Sequence, residues 1–125
     1  MEIGNYDNGQ RINDSISYEY HPNKSIAAAG RILNENKIDG WTYYYPNGNI
    51  KSKGNYCLYP LYHSHGVLYK SVETDQWNYW YPDEKLKAVV TYNSQGEIIE
   101  QIYYDQQGLK IDKNTFDQLK ETIEN

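Results

Sequence analysis

Alternating apolar and polar positions run along much of this chain and predict β-strands. Trp41, Tyr43 and Tyr45 recur at every second residue, which places their rings on one face of an extended strand. The alternation returns over residues 50–56. Between the two runs a Pro-Asn-Gly sequence ends at Gly48, and it supplies the fixed φ of proline and the positive φ that glycine tolerates. The pattern therefore predicts a β-hairpin.

The hairpin pattern is repeated further along the chain. Residues 40–56 align without a gap with residues 76–92. Five positions keep the same residue type: Trp41, Tyr43, Tyr45, Pro46 and Tyr56 match Trp77, Tyr79, Tyr81, Pro82 and Tyr92. Shorter copies of the turn signature begin at Tyr6, Tyr20, Tyr62, Tyr92 and Tyr104. The chain is thus predicted to be mainly β, with an extended antiparallel sheet of successive β-hairpin repeats in one domain over residues 1–125.

Two features of this repeat carry further expectations. Gly54 stands where the second copy has Val90, and we expect a neighbouring ring to lie across its backbone. The interval from Trp41 to Trp77 is 36 residues, which we interpret as one hairpin plus an extra half-unit of about 12 residues. The additional turn would lie at residues 62–66, in the least regular part of the sheet.

The pattern changes after Gly108. Apolar residues then recur at the spacing of one helix face: Phe116, Leu119 and Ile123. Asn114 or Thr115 can cap the first turn, so a short α-helix is predicted over about residues 114–124. We expect this helix to fold over one end of the sheet, where it would protect an open edge strand from pairing with other chains.

The composition fits a thin sheet better than a deep core. Fifteen Tyr and three Trp stand beside a single Phe and a single Met, so most apolar burial must come from rings with one polar end. A buried Tyr hydroxyl or Trp N–H needs a hydrogen-bond partner or a route to water. Such rings therefore suit a half-solvated sheet.

The formal net charge of −5 narrows the choice of partner. Nucleic acids and anionic membranes both require clustered Lys and Arg, so neither is expected, whereas a basic protein is. Residues 1–13 lack the apolar centre of a signal peptide, and no run reaches the roughly 18 apolar residues of a membrane span. We therefore expect a cytoplasmic protein. Cys57 is the single cysteine, which leaves no internal disulfide.

Candidate chemistry is confined to one turn. His63 and His65 are spaced to share one side of an extended segment, as two ligands of zinc or copper would be, and Cys57 lies upstream. A metal site needs three or four ligands, and a Cys–His nucleophile pair needs an orienting group and an oxyanion hole. The sequence points to none of these. We therefore interpret the histidines as polar turn residues and Cys57 as a structural thiol, and we expect no cofactor, no metal and no enzymatic activity.

Two sets of side chains are candidates for contact with a partner. Tyr44 and Trp80 project from the face opposite the repeated rings, where alternation expects polar residues. They are either interface anchors or rings covered by the N-terminal strands or the C-terminal helix. The second set is four carboxylates: Glu73, Asp75, Asp83 and Glu84. These either mimic a phosphate chain against a basic site or form a solvated rim that keeps the protein soluble.

The strong copy of the repeat resembles a known family. Residues 39–56 read D-G-W-x-Y-Y-Y-x-N-G-x-I-K-x-x-G-x-Y. The matching positions are Asp39, Gly40, Trp41, Tyr43, Tyr44, Tyr45, Asn47, Gly48, Ile50, Lys51, Gly54 and Tyr56. This pattern is similar to the MORN-variant repeat of bacterial YwqK-type antitoxin or immunity proteins. The resemblance implies successive β-hairpins in an extended antiparallel sheet. It also implies a protein partner, since some members neutralise secreted toxins encoded beside them.

Three hypotheses of function follow from these patterns. The first is a non-catalytic immunity or antitoxin protein that neutralises a cognate bacterial toxin or effector by direct binding. Its predicted contacts are Tyr44, Trp80, Tyr62, His63, His65, Glu73, Asp75, Asp83 and Glu84. The alternative is a glycan- or cell-wall-binding aromatic repeat protein, whose rings would stack on sugars. The third is an enzyme with a metal at the His63–His65 turn. The sequence leaves the oligomeric state open.

Overall fold

In a computed structural model the chain forms one antiparallel sheet whose strand order follows the chain order. The structure describes residues 4–7 and 10–124, with the side chains of residues 14–119. Over these residues it has nine strands and one helix: β1 Gly4–Asp7, β2 Gln10–Tyr20, β3 Ile26–Leu33, β4 Asn36–Tyr44, β5 Ile50–His63, β6 Gly66–Trp80, β7 Leu86–Tyr92, β8 Ile98–Tyr104, β9 Lys110–Ile111 and α1 Lys113–Glu124. Each strand pairs with the next one along the chain. The predicted fold class is confirmed.

Five turns share one backbone pattern. In each turn the N–H of the fourth residue donates to the carbonyl of the first, at 2.8 to 3.0 Å. The turns begin at His21, Tyr45, Tyr81, Asn93 and Asp105, and their fourth residues are Lys24, Gly48, Glu84, Gly96 and Gly108, all with positive φ. In each turn the side-chain oxygen of an Asn or Asp accepts the backbone N–H of the residue two positions later. These accepting residues are Asn23, Asn47, Asp83, Asn93 and Asp105. These side chains fix the turn geometry locally.

The two repeated tryptophans pack on one side of the sheet, which we call the inner face. Trp41 is 0% exposed and Trp77 is 2% exposed. Each indole lies flat on the glycine of the preceding strand: a Cβ added at Gly30 or Gly54 would stand 2.2 or 2.1 Å from Trp41 or Trp77. The two indole N–H groups donate to backbone carbonyls at 2.9 and 3.0 Å. The expectation that a ring crosses the backbone at Gly54 is confirmed.

Tyrosines complete the inner face around these rings. Tyr43 lies between Trp41 and Trp77, with ring centroids 6.2 and 6.3 Å away. The Tyr56 ring meets Trp77 edge-on at 5.0 Å, and its hydroxyl shares a 2.6 Å hydrogen bond with that of Tyr43. Because each ring keeps a partner for its polar end, a single sheet buries them without orphaned donors.

The interval between the two tryptophans has a different origin from the predicted one. β5 and β6 pair from the base of the sheet up to His63 opposite Gly66, and Ser64 and His65 alone form the turn. The turn predicted within residues 62–66 is confirmed. The extra half-unit is wrong, because the insertion lengthens both strands of one hairpin and adds no strand. We call the projecting part, residues 57–72, the arm.

The C-terminal helix starts one residue earlier than predicted and has a different cap. The Thr115 N–H donates to the Asp112 carboxylate at 2.7 Å. Asp112 directly precedes the helix and is the cap, so the caps predicted at Asn114 or Thr115 are wrong. Phe116 is buried against Tyr103 on the inner face, with ring centroids 4.4 Å apart. The predicted helix face is only partly visible, since the Ile123 side chain lies outside the described residues. Over residues 4–7 and 10–124, no helix has the length and hydrophobicity to cross a membrane.

Candidate interaction surfaces

The nine predicted contact residues do not form one site. Tyr44, Trp80, Asp83 and Glu84 lie at the end of the sheet that carries the turns at Tyr45 and Tyr81, whereas Tyr62, His63, His65, Glu73 and Asp75 lie on the arm or at its base. Asp75 and Trp80 lie at opposite ends of the part of β6 that pairs with β7. With about 3.3 Å per residue, roughly 15 Å of strand separates the two groups. The two groups of predicted contact residues therefore lie in different parts of the sheet.

Tyr44 and Trp80 lie on the outer face, opposite the tryptophan layer. Each follows an inner-face tyrosine directly, and each is half-buried. Their cross-strand partners are aliphatic, and a third pair of the same kind lies on the neighbouring hairpin. The resulting outer row consists of three pairs: Tyr20 with Ile26, Tyr44 with Ile50, and Trp80 with Leu86. Three of the six side chains are strongly solvent-accessible, with Tyr20 at 63%, Ile26 at 38% and Ile50 at 36%.

Within the part of the chain that the structure describes, neither the helix nor the first strands lie over the outer row. Phe116 of α1 packs on the inner face. β1 and β2 extend the sheet beyond β3 and so lie in the same layer. The described residues of these two elements therefore do not provide the covering of Tyr44 and Trp80 that the sequence left open. Sequence reasoning missed Tyr20, Ile26, Ile50 and Leu86, although each stands next to a turn and could have been found by extending the repeat.

A ladder of side-chain bonds holds the backbone of the outer row. His21 Nε2–H donates to the Tyr44 carbonyl at 2.8 Å, and the Tyr45 hydroxyl donates to the Trp80 carbonyl at 2.6 Å. The Tyr81 hydroxyl continues the series to the Tyr104 carbonyl at 2.7 Å. We call this series the turn ladder. The bonds tie the turns at His21, Tyr45, Tyr81 and Asp105 to one another, so the outer row lies on a fixed backbone.

Two carboxylates border the outer row at one end. Ile50, Trp80 and Glu84 line an open cavity of about 230 Å³. The Asp83 carboxylate accepts the Lys85 N–H at 3.3 Å and lies 3.9 Å from the Lys85 ammonium. Asp83 therefore shapes its own turn, while Glu84 occupies a position where the equivalent turn has Gly48. The outer row is apolar along its length and acidic at this end.

The arm is the second candidate surface. Every residue from 61 to 70 is exposed. Five large apolar side chains are among them: Leu61 at 41%, Tyr62 at 78%, Val67 at 41%, Leu68 at 61% and Tyr69 at 54%. They occupy both faces of the two-stranded ribbon, since residues 61 and 68 pair across it and residues 62 and 67 pair on the other side. The arm therefore exposes an unusually large apolar surface to water.

The arm histidines cap their own turn. The His65 N–H donates to His63 Nδ1 at 3.2 Å, and the two ring centroids are 6.3 Å apart. Cys57 lies six residues from His63 along β5, about 20 Å away in an extended strand, and its S–H donates to the Ser94 carbonyl at 3.5 Å. Among the described residues there is no group of three or more His, Cys, Asp or Glu that could hold a metal ion.

Glu73 and Asp75 belong to the base of the arm. Glu73 lies opposite Tyr56, and Asp75 is an exposed residue with φ of 60° in the bulge before Trp77. Asp39 has the same conformation before Trp41, with φ of 58°. These two aspartates therefore mark where each repeat bends to seat its indole. The four carboxylates singled out from the sequence do not gather, because β6 separates them.

The titratable groups of the inner face are held in their ordinary states. Burial first, and then hydrogen bonding, raises the pKa of Tyr56 and of Tyr79 above 10.0. Burial opposes the charge of Lys37, but its bonds to the Tyr43 hydroxyl and to Glu19 outweigh this and raise the pKa of Lys37. These shifts keep the tyrosines neutral and the lysine charged, which are also their protonation states in water at pH 7. The cluster is therefore suited to packing rather than to proton transfer.

Comparison of the chain with protein-family models, with curated proteins and with solved structures gave no match. The likeness to the YwqK-type repeat thus rests on residues 39–56 alone. The structure adds two exposed apolar surfaces: the outer row with its acidic end, and the arm.

Proposed function

We propose that this protein is a non-catalytic binding module, an immunity or antitoxin protein that neutralises a cognate bacterial toxin or effector in the cytoplasm by direct contact. The observation that supports it is the outer row. Aromatic and aliphatic side chains line up on a sheet face over which no described element lies, and the turn ladder holds their backbone. A preorganised aromatic patch loses little conformational entropy on binding, which is the property of an interface anchor.

The charges favour a partner with basic groups beside an apolar patch. Glu84 borders Trp80 and Ile50, Asp83 lies in the same turn, and the whole chain carries a net charge of −5. A basic toxin surface would therefore be attracted over long range and would place its cations against this turn. Of the four carboxylates predicted to mimic a phosphate chain, only Asp83 and Glu84 lie at this turn, so only these two would contact the basic site.

Glycan binding has weaker support. Stacking on sugar rings needs open, flat aromatic faces, and two of the three tryptophans, Trp41 and Trp77, are at most 2% exposed. Trp80 keeps part of its ring accessible, but the aliphatic neighbours Ile50 and Leu86 give the row the mixed character of a protein interface.

The experiment is co-expression with the product of the neighbouring open reading frame. We expect that product to arrest growth alone, and this chain to rescue growth and co-purify with it. Trp80→Ala should weaken the complex by about 2 kcal/mol, as loss of an interface anchor does. Tyr62→Ala, which removes a 78% exposed ring from the arm, is the matched control and should leave affinity unchanged.

Two results would contradict the proposal. One is a harmless neighbouring product that never co-purifies with this chain. The other is a complex in which Trp80→Ala and Tyr44→Ala both bind as the parent chain does, because the outer row would then not be the contact.

A further inference from the structure

One edge of the arm has free backbone groups. Among the described residues β6 pairs with β7 only from Asp75 to Trp80, so residues 67–70 have no strand on their outer side. The side chains along this edge are mostly apolar and exposed, with Val67 at 41%, Leu68 at 61% and Tyr69 at 54%. A two-stranded ribbon is marginally stable in water, and a further strand on such an edge stabilises it.

The ladder of the arm shows which backbone groups point outward. A two-residue turn closes on a hydrogen-bonded pair, here His63 and Gly66, and such pairs then alternate with non-bonded pairs. Pro60 and Tyr69 form a non-bonded pair by this count, so their backbone nitrogens face away from the ribbon. Proline has no N–H, which fits this position and leaves the outer edge of β5 without a donor there. The β6 edge keeps its donor at Tyr69.

The charge pattern favours a second copy of this chain as the added strand. All 17 Asp and Glu residues lie outside residues 40–72, so two arms can approach each other although each chain carries a net charge of −5. A second edge without a full partner, that of β8, shows the contrast. Residues 98–102 of β8 extend beyond the two-residue β9, and Glu97 and Glu100 flank that edge, where a second copy would meet like charges.

We propose that two copies of this chain pair antiparallel along the outer edge of β6 in the arm, over residues 67–70, to form a four-stranded sheet. The contact is two-fold symmetric, because the same edge is used by both copies. It stops at a dimer, because Pro60 closes the opposite edge of each arm to further pairing. The pairing uses neither Tyr44 nor Trp80, so it is independent of the proposed toxin contact.

Sedimentation velocity of the full chain over a wide concentration range tests this pairing. We expect a monomer–dimer equilibrium. Tyr69→Pro removes the outward N–H from each copy and should raise the dimer dissociation constant by about tenfold or more. Tyr69→Thr keeps the N–H and a strand-compatible side chain, and it should remain dimeric. A parent chain that stays monomeric, or a Tyr69→Pro chain that dimerises normally, would overturn the proposal.

A charge pair distinguishes edge pairing from packing of the ribbon faces and does not depend on proline being tolerated. Leu61 and Leu68 are cross-strand neighbours on one face, but only Leu68 is on the pairing strand. Leu68→Lys should weaken the dimer more than Leu61→Lys, and equal effects would overturn the proposal in favour of face packing. Pro60→Val restores a donor to the second edge and should produce species larger than a dimer.

Discussion

Gly30 and Gly54 lie beneath the two buried indoles, and their missing side chains are what allow a one-layer sheet to hide a tryptophan. Trp41 and Trp77 lie flat on the backbone of the preceding strand, so each ring is covered from below by main chain. The sides of the layer are closed by tyrosine rings such as Tyr43 and Tyr56. Burial here depends on close approach to the backbone and not on a second layer.

Gly54→Ala should therefore destabilise the protein strongly. The new Cβ would stand 2.1 Å from Trp77, so the indole must move, and we expect a loss of about 2–3 kcal/mol in the free energy of unfolding. Urea denaturation followed by tryptophan fluorescence measures it. Gly40→Ala is the control, since its Cβ would meet only the Asn55 side chain at 3.7 Å. Equal effects of the two substitutions would contradict this account.

Glu84 is a residue that costs stability where it stands. Its φ is 76°, a left-handed conformation that the equivalent turn fills with Gly48 at 92°. Glu84→Gly should stabilise the fold by about 1 kcal/mol, since glycine adopts this conformation without strain. Thermal unfolding measures the gain, and Gly48→Glu should lose a similar amount. If Glu84→Gly also weakens toxin binding, the strain is kept for the acidic end of the outer row.

Parity along the strands was enough to predict the faces of individual residues. The inner positions of Trp41 and Tyr43, and the outer positions of Tyr44 and Trp80, follow from the alternation of side chains. The bulges before the two indoles were not predictable, because they depend on a positive φ at Asp39 and Asp75. In a sequence, glycine is the residue that indicates positive φ, and neither position is a glycine. The pairs of the outer row depend on further register shifts beside the turns, just before Tyr20, Tyr44 and Trp80, which the sequence does not signal either.

At the scale of elements, the turns are the most regular feature. The turn sequences differ, but in each of them one Asn or Asp side chain accepts a backbone N–H of the turn. When this cap is the third residue of the turn, the first position is free for a ring. Where the cap is third, the first residue is His21, Tyr45 or Tyr81, and its ring reaches the next turn. Where the cap is first, as at Asp105, no ring is left to continue the turn ladder.

The helix depends on its cap. Asp112→Ala should destabilise α1, because the Thr115 N–H loses its acceptor. The same bond lowers the pKa of Asp112, so this contribution is present above the ordinary value of 3.8 and is lost as the pH falls below it. Circular dichroism during urea denaturation follows both effects. Asn114→Ala should be nearly neutral, and a larger loss there would restore the cap predicted from the sequence.

Element types were predictable from the sequence and element lengths were not. Periodicity of two gave the strands and the change of period gave the helix. The arm was not predicted, because residues such as Leu61, Tyr62 and Leu68 have the pattern of ordinary strand residues. Nothing in the sequence indicates that the neighbouring strands end before they reach this part of the hairpin. Its 36-residue spacing fits a longer hairpin and an added half-unit equally well, and only the pairing of His63 with Gly66 decides.

At the scale of the whole molecule, the tyrosine layer makes stability sensitive to alkali. Burial raises the pKa of Tyr56 and Tyr79 above 10.0, so above about pH 10 the unfolded chain loses protons that the folded chain keeps. The unfolded state then binds fewer protons, and stability falls as the pH rises. Thermal unfolding at a series of pH values from about 8 to 11 measures the decline.

The decline can be assigned to the inner face by substitution. Tyr79→Phe removes one of the buried hydroxyls and should make stability fall less steeply above pH 10. Tyr62→Phe alters a ring that is 78% exposed and should leave the steepness as it is. If both substitutions act alike, the buried rings are not the cause.

The strand order of the sheet, which is the order of the chain, also bears on how the protein is made. Each strand from β2 onward finds its partner in the segment synthesised just before it, so no strand has to wait for a distant one to leave the ribosome. Trp41 and Trp77 likewise settle on glycines that have already been translated. The growing chain can therefore fold as it emerges, with each new strand added to the edge that formed just before it.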